Sequence, residues 1–337
     1  MRRRVIHQCI EPCWRNTMLP AALAVMALVG FSGAHAFELK PNPVSDEAYG
    51  ESYTAIADLK DGSYVLTQFV FTNAGFGDGK AACRGLVVRA GGQGVNDAKR
   101  FDKDEWQYVS NGNVLKVGEC ALASKNGQTT FSVKTEKLTI DLLVEASAKA
   151  VKPPHHRVTV GDDEFYTSEV LIPWAKVTAS VKTPAGKIVS TGQAYLDHTR
   201  SNTRLPKVAK KWLRFRGFHG ARPCLLALRF PPKAGALKGW IWTGRAGGPM
   251  GVKATDVSID DTRSSPSVKV KTTAGVLASK TTSVVYRYRP AKEWGLLGRL
   301  AKPWVGDPET STFKATLTWP DGTQTHGILE RAAIEDD

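Results

Sequence analysis

Ten residues in the middle of the chain carry the groups that acid–base chemistry needs: Thr191-Gly192-Gln193-Ala194-Tyr195-Leu196-Asp197-His198-Thr199-Arg200. A carboxylic acid can deliver a proton, and a tyrosine or an imidazole can position the partner that receives it. Side chains alternate across a strand, so an extended reading puts Tyr195 and Asp197 on one face and Leu196 and His198 on the other. In an apolar cavity Asp197 would stay protonated, because burial disfavours the charged form. It could then act as a general acid or anchor a ligand. An Asp beside a His also serves as a satisfied polar network in any fold, and without further context this plainer role is favoured.

Basic and aromatic residues interleave just downstream: Arg204, Lys207, Lys210, Lys211, Trp212, Arg214, Phe215, Arg216, Phe218, His219 and Arg222. The Arg204–Arg222 stretch suits an anionic membrane surface, and it reads equally as a solvated run of cations.

Other chemistries find no footing. The chain has no HExxH, no CxxC pair, no G-x-S-x-G elbow and no Walker A sequence. Gly75–Lys80 (GFGDGK) lacks the required first glycine and a Ser or Thr after Lys80, so it reads as a hairpin loop. His155 and His156 are adjacent, which on a strand turns them to opposite faces and argues against joint metal binding. Nothing marks Cys224, near His219, as an activated thiol. No metal and no organic cofactor is expected.

The elements that must position these groups are strands. Ser52–Leu59, Tyr64–Thr72, Phe131–Thr135, Leu138–Leu143, Glu169–Ile172, Ala175–Lys182 and Lys187–Tyr195 carry strand signals in the first part. Cys224–Phe230, Gly239–Thr243, Gly251–Ile259, Ser267–Thr273, Thr282–Arg289 and Thr312–Trp319 continue them. Asp61-Gly62, Asn111-Gly112, Asn126-Gly127 and Asp321-Gly322 are hairpin turns, since both residue types tolerate a positive φ. Only Arg204–Phe215 and Ala291–Lys302 could form short helices. The expected class is all-β, a barrel or sandwich architecture. No 20–50-residue repeat is visible. A polar seam at Ala148–Gly161, with Pro153-Pro154, predicts domains at 37–160 and 161–337.

The front of the chain predicts export. Arg2, Arg3, Arg4 and Arg15 precede an apolar run from Met18 to Val29, and Ala34-His35-Ala36 fits a signal-peptidase site. The run is shorter than the roughly 20 residues that span a bilayer. Residues 1–36 are therefore expected to be removed, with translation starting at Met1 or Met18. Four arginines and Glu11 leave with them, lowering the net charge from +14 to +11. In the periplasm, the cell envelope or the medium such a basic protein meets anionic lipid or polysaccharide, not nucleic acid. Three cysteines remain and permit three pairings. Cys83 and Cys120, both in strand-like runs, are the favoured disulfide.

Gly192, Tyr195, Asp197 and His198 stand in the order of a motif from the lipocalin-like double-barrel superfamily. That superfamily includes carotenoid 1,2-hydratases, tocopherol cyclases, Diels–Alder-type cyclases and fungal survival-factor proteins. The sequence departs from the motif at Ala194, where a second glycine belongs, and at Thr199-Arg200-Ser201, which replaces Asn-Trp-Gly. Glu51–Asn73 and Gly327–Asp336 resemble the survival-factor branch. The resemblance implies two lipocalin-like, calycin-like antiparallel β-barrels, each able to enclose one small apolar ligand. Trp174, Trp212, Phe215, Trp240 and Trp242, with Tyr195, Arg214 and Arg216, would then contact the ligand. Trp294 and Trp304 would also suit a pocket wall, although core is the commoner place for aromatics.

Two functional classes follow, with a cell-envelope scaffold behind them. One is an exported carrier of a hydrophobic lipid or isoprenoid. The other is a cofactor-independent hydratase, cyclase or isomerase acting on an isoprenoid or polyketide-type double bond. In the enzyme, Asp197 is the acid, and Tyr195 and His198 position the substrate or hold that acid.

Overall fold

Asn126 (φ 54°) and Gly127 (φ 77°) both adopt the left-handed backbone that a type I′ turn requires, and they fold two strands into a hairpin. Short connections, many with a single positive-φ glycine, join most strands that follow each other in the chain. The computed structural model describes residues 37–73, 78–146, 148–232, 235–244, 248–289 and 307–335. The signal-like segment, the Ala291–Lys302 helix, Trp294 and Trp304 lie outside the described residues. So do the first three residues of the Gly75–Lys80 loop, but Thr72 pairs with Lys80 and the segment does join a hairpin.

The first sheet opens with β1 (Gly50–Leu59), β2 (Tyr64–Thr72), β3 (Lys80–Val88), β4 (Gly94–Phe101), β5 (Trp106–Val109) and β6 (Val114–Val117). It continues through β7 (Cys120–Lys125), β8 (Gln128–Lys134), β9 (Thr139–Ala146), β10 (Arg157–Val160), β11 (Glu164–Thr183) and β12 (Gly186–Ser201). The second comprises β13 (Lys211–Gly220), β14 (Cys224–Phe230), β15 (Lys238–Trp242), β16 (Met250–Val252) and β17 (Val257–Asp260). Then follow β18 (Ser267–Thr272), β19 (Gly275–Tyr288), β20 (Asp307–Thr318) and β21 (Gln324–Glu335).

Both sheets wind the same way. Each is an antiparallel meander whose first strand pairs with its last, β1 with β12 and β13 with β21. β4 and β5 remain edges of the first sheet, and β16 and β17 of the second, so each barrel is nearly closed. Tyr53, Phe69, Phe131, Leu115 and Leu122 fill the first barrel, and Leu213, Phe215, Leu226, Ile241 and Leu329 the second. A third apolar cluster joins the outer faces: Ile56, Val170 and Tyr195 from the first sheet meet Phe218, Leu225, Trp242 and Ile328 from the second.

Cys83 on β3 and Cys120 on β7 form the expected disulfide, buried in the first core. The bond ties the two limbs of the sheet near their unpaired edges. A buried disulfide fits an oxidising compartment. Among the described residues no helix is long and apolar enough to cross a membrane. Converting both cysteines to serine is expected to cost about 3–4 kcal/mol, the loop-closure contribution for a loop of this length. Urea unfolding with and without reductant measures it.

Three expectations on the elements are corrected. The Ala148–Gly161 seam falls inside the first sheet, because β11 and β12 must return beside β1 to close it; the first barrel extends to Ser201. Arg204–Phe215 is not one helix: Pro206 sits in a single turn, Leu205–Val208, and β13 starts at Lys211. Period-two alternation of Leu213 and Phe215 against Trp212, Arg214 and Arg216 outweighs the helical reading. Gly251–Ile259 is interrupted by a 3₁₀ turn at Ala254–Asp256.

Candidate functional site

β12 carries the alternation expected of it. Leu196 lies in the first barrel's core, whereas Tyr195 and Asp197 face the second barrel. Gly192 anchors the strand's approach to β1, since a Cβ there would lie 2.2 Å from the Asp58 carbonyl oxygen. On the other side, cross-strand registers bring the outward residues of β21, β13, β14 and β15 into rows. One row runs Ala332, Trp212, Arg229, Lys238. The next runs Glu330, Arg214, Ala227, Trp240, and the third Ile328, Arg216, Leu225, Trp242.

These rows meet β12 in a buried charge cluster. Arg216 Nη1 lies 3.5 Å from Glu330 Oε2 and its Nη2 lies 3.9 Å from Asp197 Oδ2. Arg214 Nη1 lies 3.4 Å from Glu330 Oε1. The Arg216 guanidinium also stacks over the Tyr195 ring, 4.7 Å from its centre. The two carboxyls respond oppositely. Burial pushes Asp197 above the usual carboxylate range, aided by the Glu330 charge and opposed by Arg214, Arg216 and a Tyr195 hydrogen bond. Burial acts on Glu330 too, but Arg216 and Arg214 outweigh it and hold that carboxyl low. The one cluster thus shifts its two carboxyls in opposite directions, Asp197 up and Glu330 down.

A pocket opens beside this cluster. Tyr166, Ser168 and Tyr195 line it from the first sheet; Trp212, Arg214, Phe215, Arg216, Arg229 and Trp240 line it from the second. Pro153, Pro154, His155 and His156 lie at it as well, and His155 holds a left-handed backbone (φ 58°). Asp197 is not part of this wall and sits behind Tyr195 and Arg216.

Six of the sequence-predicted ligand residues therefore meet at one pocket: Tyr195, Trp212, Phe215, Trp240, Arg214 and Arg216. Its location differs from the expected barrel interior, since the first barrel is filled by its own aromatics and most of the pocket wall comes from outward-facing residues, although Phe215 also belongs to the second core. Trp174 and Trp242 do not line it. Trp174 Nε1 instead donates to the Phe218 carbonyl at 3.1 Å, and Trp242 is packed in the inter-sheet core.

His198 is not brought to Asp197. It lies on the opposite strand face, stacked on Tyr53 at 4.4 Å, with Nε2 2.7 Å from Glu51 Oε1. Glu51 also accepts from the Tyr49 hydroxyl at 2.6 Å and the Asn42 amide at 2.9 Å. Burial pulls Glu51 up, yet these hydrogen bonds keep its carboxyl low. Of the basic stretch, Arg216 is buried, while Lys207, Lys211 and Arg222 pair with Glu164, Asp261 and Asp321. Cys224 is a free, buried cysteine, and burial pushes its thiol up, as expected of an unactivated group. Among the described residues no group of His, Cys, Asp and Glu could hold a metal ion.

No protein-family model matches the sequence, and no curated protein does. Solved structures do match the fold. A candidate AttH from Nitrosomonas europaea superposes with a TM-score of 0.61 at 14% identity, over 85% of this chain and 93% of the other. Kievitone hydratase from Nectria haematococca gives 0.57 at 10% identity, over 84% and 88%. CghA in complex with Sch210972 gives 0.56 at 10% identity, over 85% and 88%. The chain has the lipocalin-like double-barrel fold.

Proposed function

We propose that this protein binds a small, largely apolar molecule in the pocket between its barrels, with Tyr195 and the Arg214–Arg216 pair at one end and Trp212 and Trp240 as wall. The convergence of those side chains from two sheets is the observation that carries the reading, since ligand sites are mostly apolar pockets with a few convergent polar groups. Export to the envelope, where lipids and isoprenoids are to hand, fits the signal-like front of the chain.

The opposed environments of Asp197 and Glu330 favour a second reading, acid catalysis on a carbon–carbon double bond. Tyr195 would hand its phenolic proton to an alkene carbon while Asp197 replaces it. Water would add to the resulting cation and return its surplus proton through Tyr195 to Asp197, so nothing is consumed but water. One of the solved structures sharing the fold is a hydratase by name. His198 has no part in this scheme, because it faces the other way.

Native mass spectrometry of the protein taken from its own envelope, followed by organic extraction, tests the binding reading. The expected result is one stoichiometric small molecule that is lost in Trp212→Leu. An apo mass that stays clean after exposure to envelope lipid extracts would sink it.

A further inference from the structure

The charges around the pocket do not balance. Arg214 and Arg216 share Glu330 and have Asp197 as the next acid. Arg229 stands in the same wall, opposite Trp212 on β13 and Lys238 on β15. Its Nη1 donates to the Val208 carbonyl at 2.8 Å, and among the described residues no carboxylate pairs with Arg229 or Lys238. Three guanidiniums therefore face the pocket with two carboxyls near them, even when both are ionised. A half-buried cation facing a cavity without a counter-charge is unfavourable until something supplies one.

We propose that the pocket's ligand is an anion: a flat aromatic or conjugated molecule with one carboxylate or equally charged oxyanion, gripped by Arg229. This rests on the binding reading above and adds the charge and shape of what is bound. With one Nη engaged by Val208, Arg229 keeps further N–H donors for an oxyanion, and such charge-assisted bonds are the strong ones. Lys238, also at the pocket, adds a second positive charge beside it. Ala227 lies between Arg214 and Trp240 in its row and contributes only a methyl group, so Trp240 and Trp212 supply the flat apolar part of the wall. Burial also lowers the proton affinity of Arg229.

Two probes of one shape and different charge test the proposal: 2-naphthoate and 2-naphthamide, titrated by calorimetry at neutral pH. The expected result is naphthoate binding at least tenfold more tightly, the size of one charge-assisted contact. Arg229→Met should bring naphthoate down to about the amide's affinity, so that the preference between the two probes disappears. Arg229→Lys, which keeps the charge and the fold but not the fork, should retain part of the preference. Equal affinities in the wild type would overturn the anion while leaving the pocket reading intact. A preference that survives Arg229→Met would overturn the role of Arg229. Failure of both probes to bind at millimolar concentration would count against the pocket reading itself, and the anion with it.

Discussion

Replacing Glu330 by glutamine is expected to remove about 3–5 kcal/mol of folding stability at neutral pH, the usual cost of deleting one partner of a buried ion pair. Glu330 is the carboxylate that both Arg214 and Arg216 approach, and Arg216 is only 2% exposed. Water cannot rescue that guanidinium when the charge goes. The sign of the pH dependence follows from the depressed carboxyl. A group held below its unfolded value stabilises the fold above that value and loses this contribution as pH falls through the folded one. The gap between wild type and Glu330→Gln should therefore be widest near neutrality and shrink in acid. Urea titrations from pH 3.5 to 7.5 measure it. A constant gap would mean that Glu330 acts through packing and not through charge.

That Glu330 matters was illegible in the sequence, and the reason is topological. It reaches Arg214 because the last strand closes the second barrel against the first, a pairing that local patterns do not encode. What local patterns do encode was readable: Tyr64–Thr72 and Cys224–Phe230 agree with strands to the residue, and Tyr195 and Asp197 share a face. The same limit explains the misplaced seam. A Pro-Pro pair and a polar stretch look like a linker, yet here they carry His155 and His156 to the pocket. The Arg204–Phe215 stretch misled for a different reason. It begins the Arg204–Arg222 run, whose cations read as membrane-facing or solvated, whereas Arg216 within that run is drawn inward by carboxyls on β12 and β21. The two barrels themselves were legible only through the family resemblance and not through an internal repeat, because strand order can repeat while side chains do not.

Asp197→Asn should behave in the opposite way from Glu330→Gln, and the contrast is the sharpest test of the site. Asp197 is only 4% exposed, and burial holds its carboxyl above the unfolded value. Between those two values the folded state carries more protons than the unfolded one, so ionising Asp197 erodes stability as pH rises. Asparagine keeps the shape and cannot ionise. The variant should match or exceed wild-type stability near neutrality, with its relative advantage fading in acid. Removing Glu330 reverses this logic: the like charge disappears, two guanidiniums lose their partner, and Asp197 becomes their counter-ion. Asp197→Asn should thus cost little in the wild type and about 3 kcal/mol or more in a Glu330→Gln background, a coupling that a double-mutant cycle reads directly. If the protein is the acid catalyst of the second reading, Asp197→Asn should also lower turnover by about 10²–10⁴-fold while ligand affinity is kept. A carrier would show the stability coupling and the retained binding, and no turnover to lose. Additive effects in the cycle would mean that the two carboxyls are independent, and the exchange of roles between them would have to be given up.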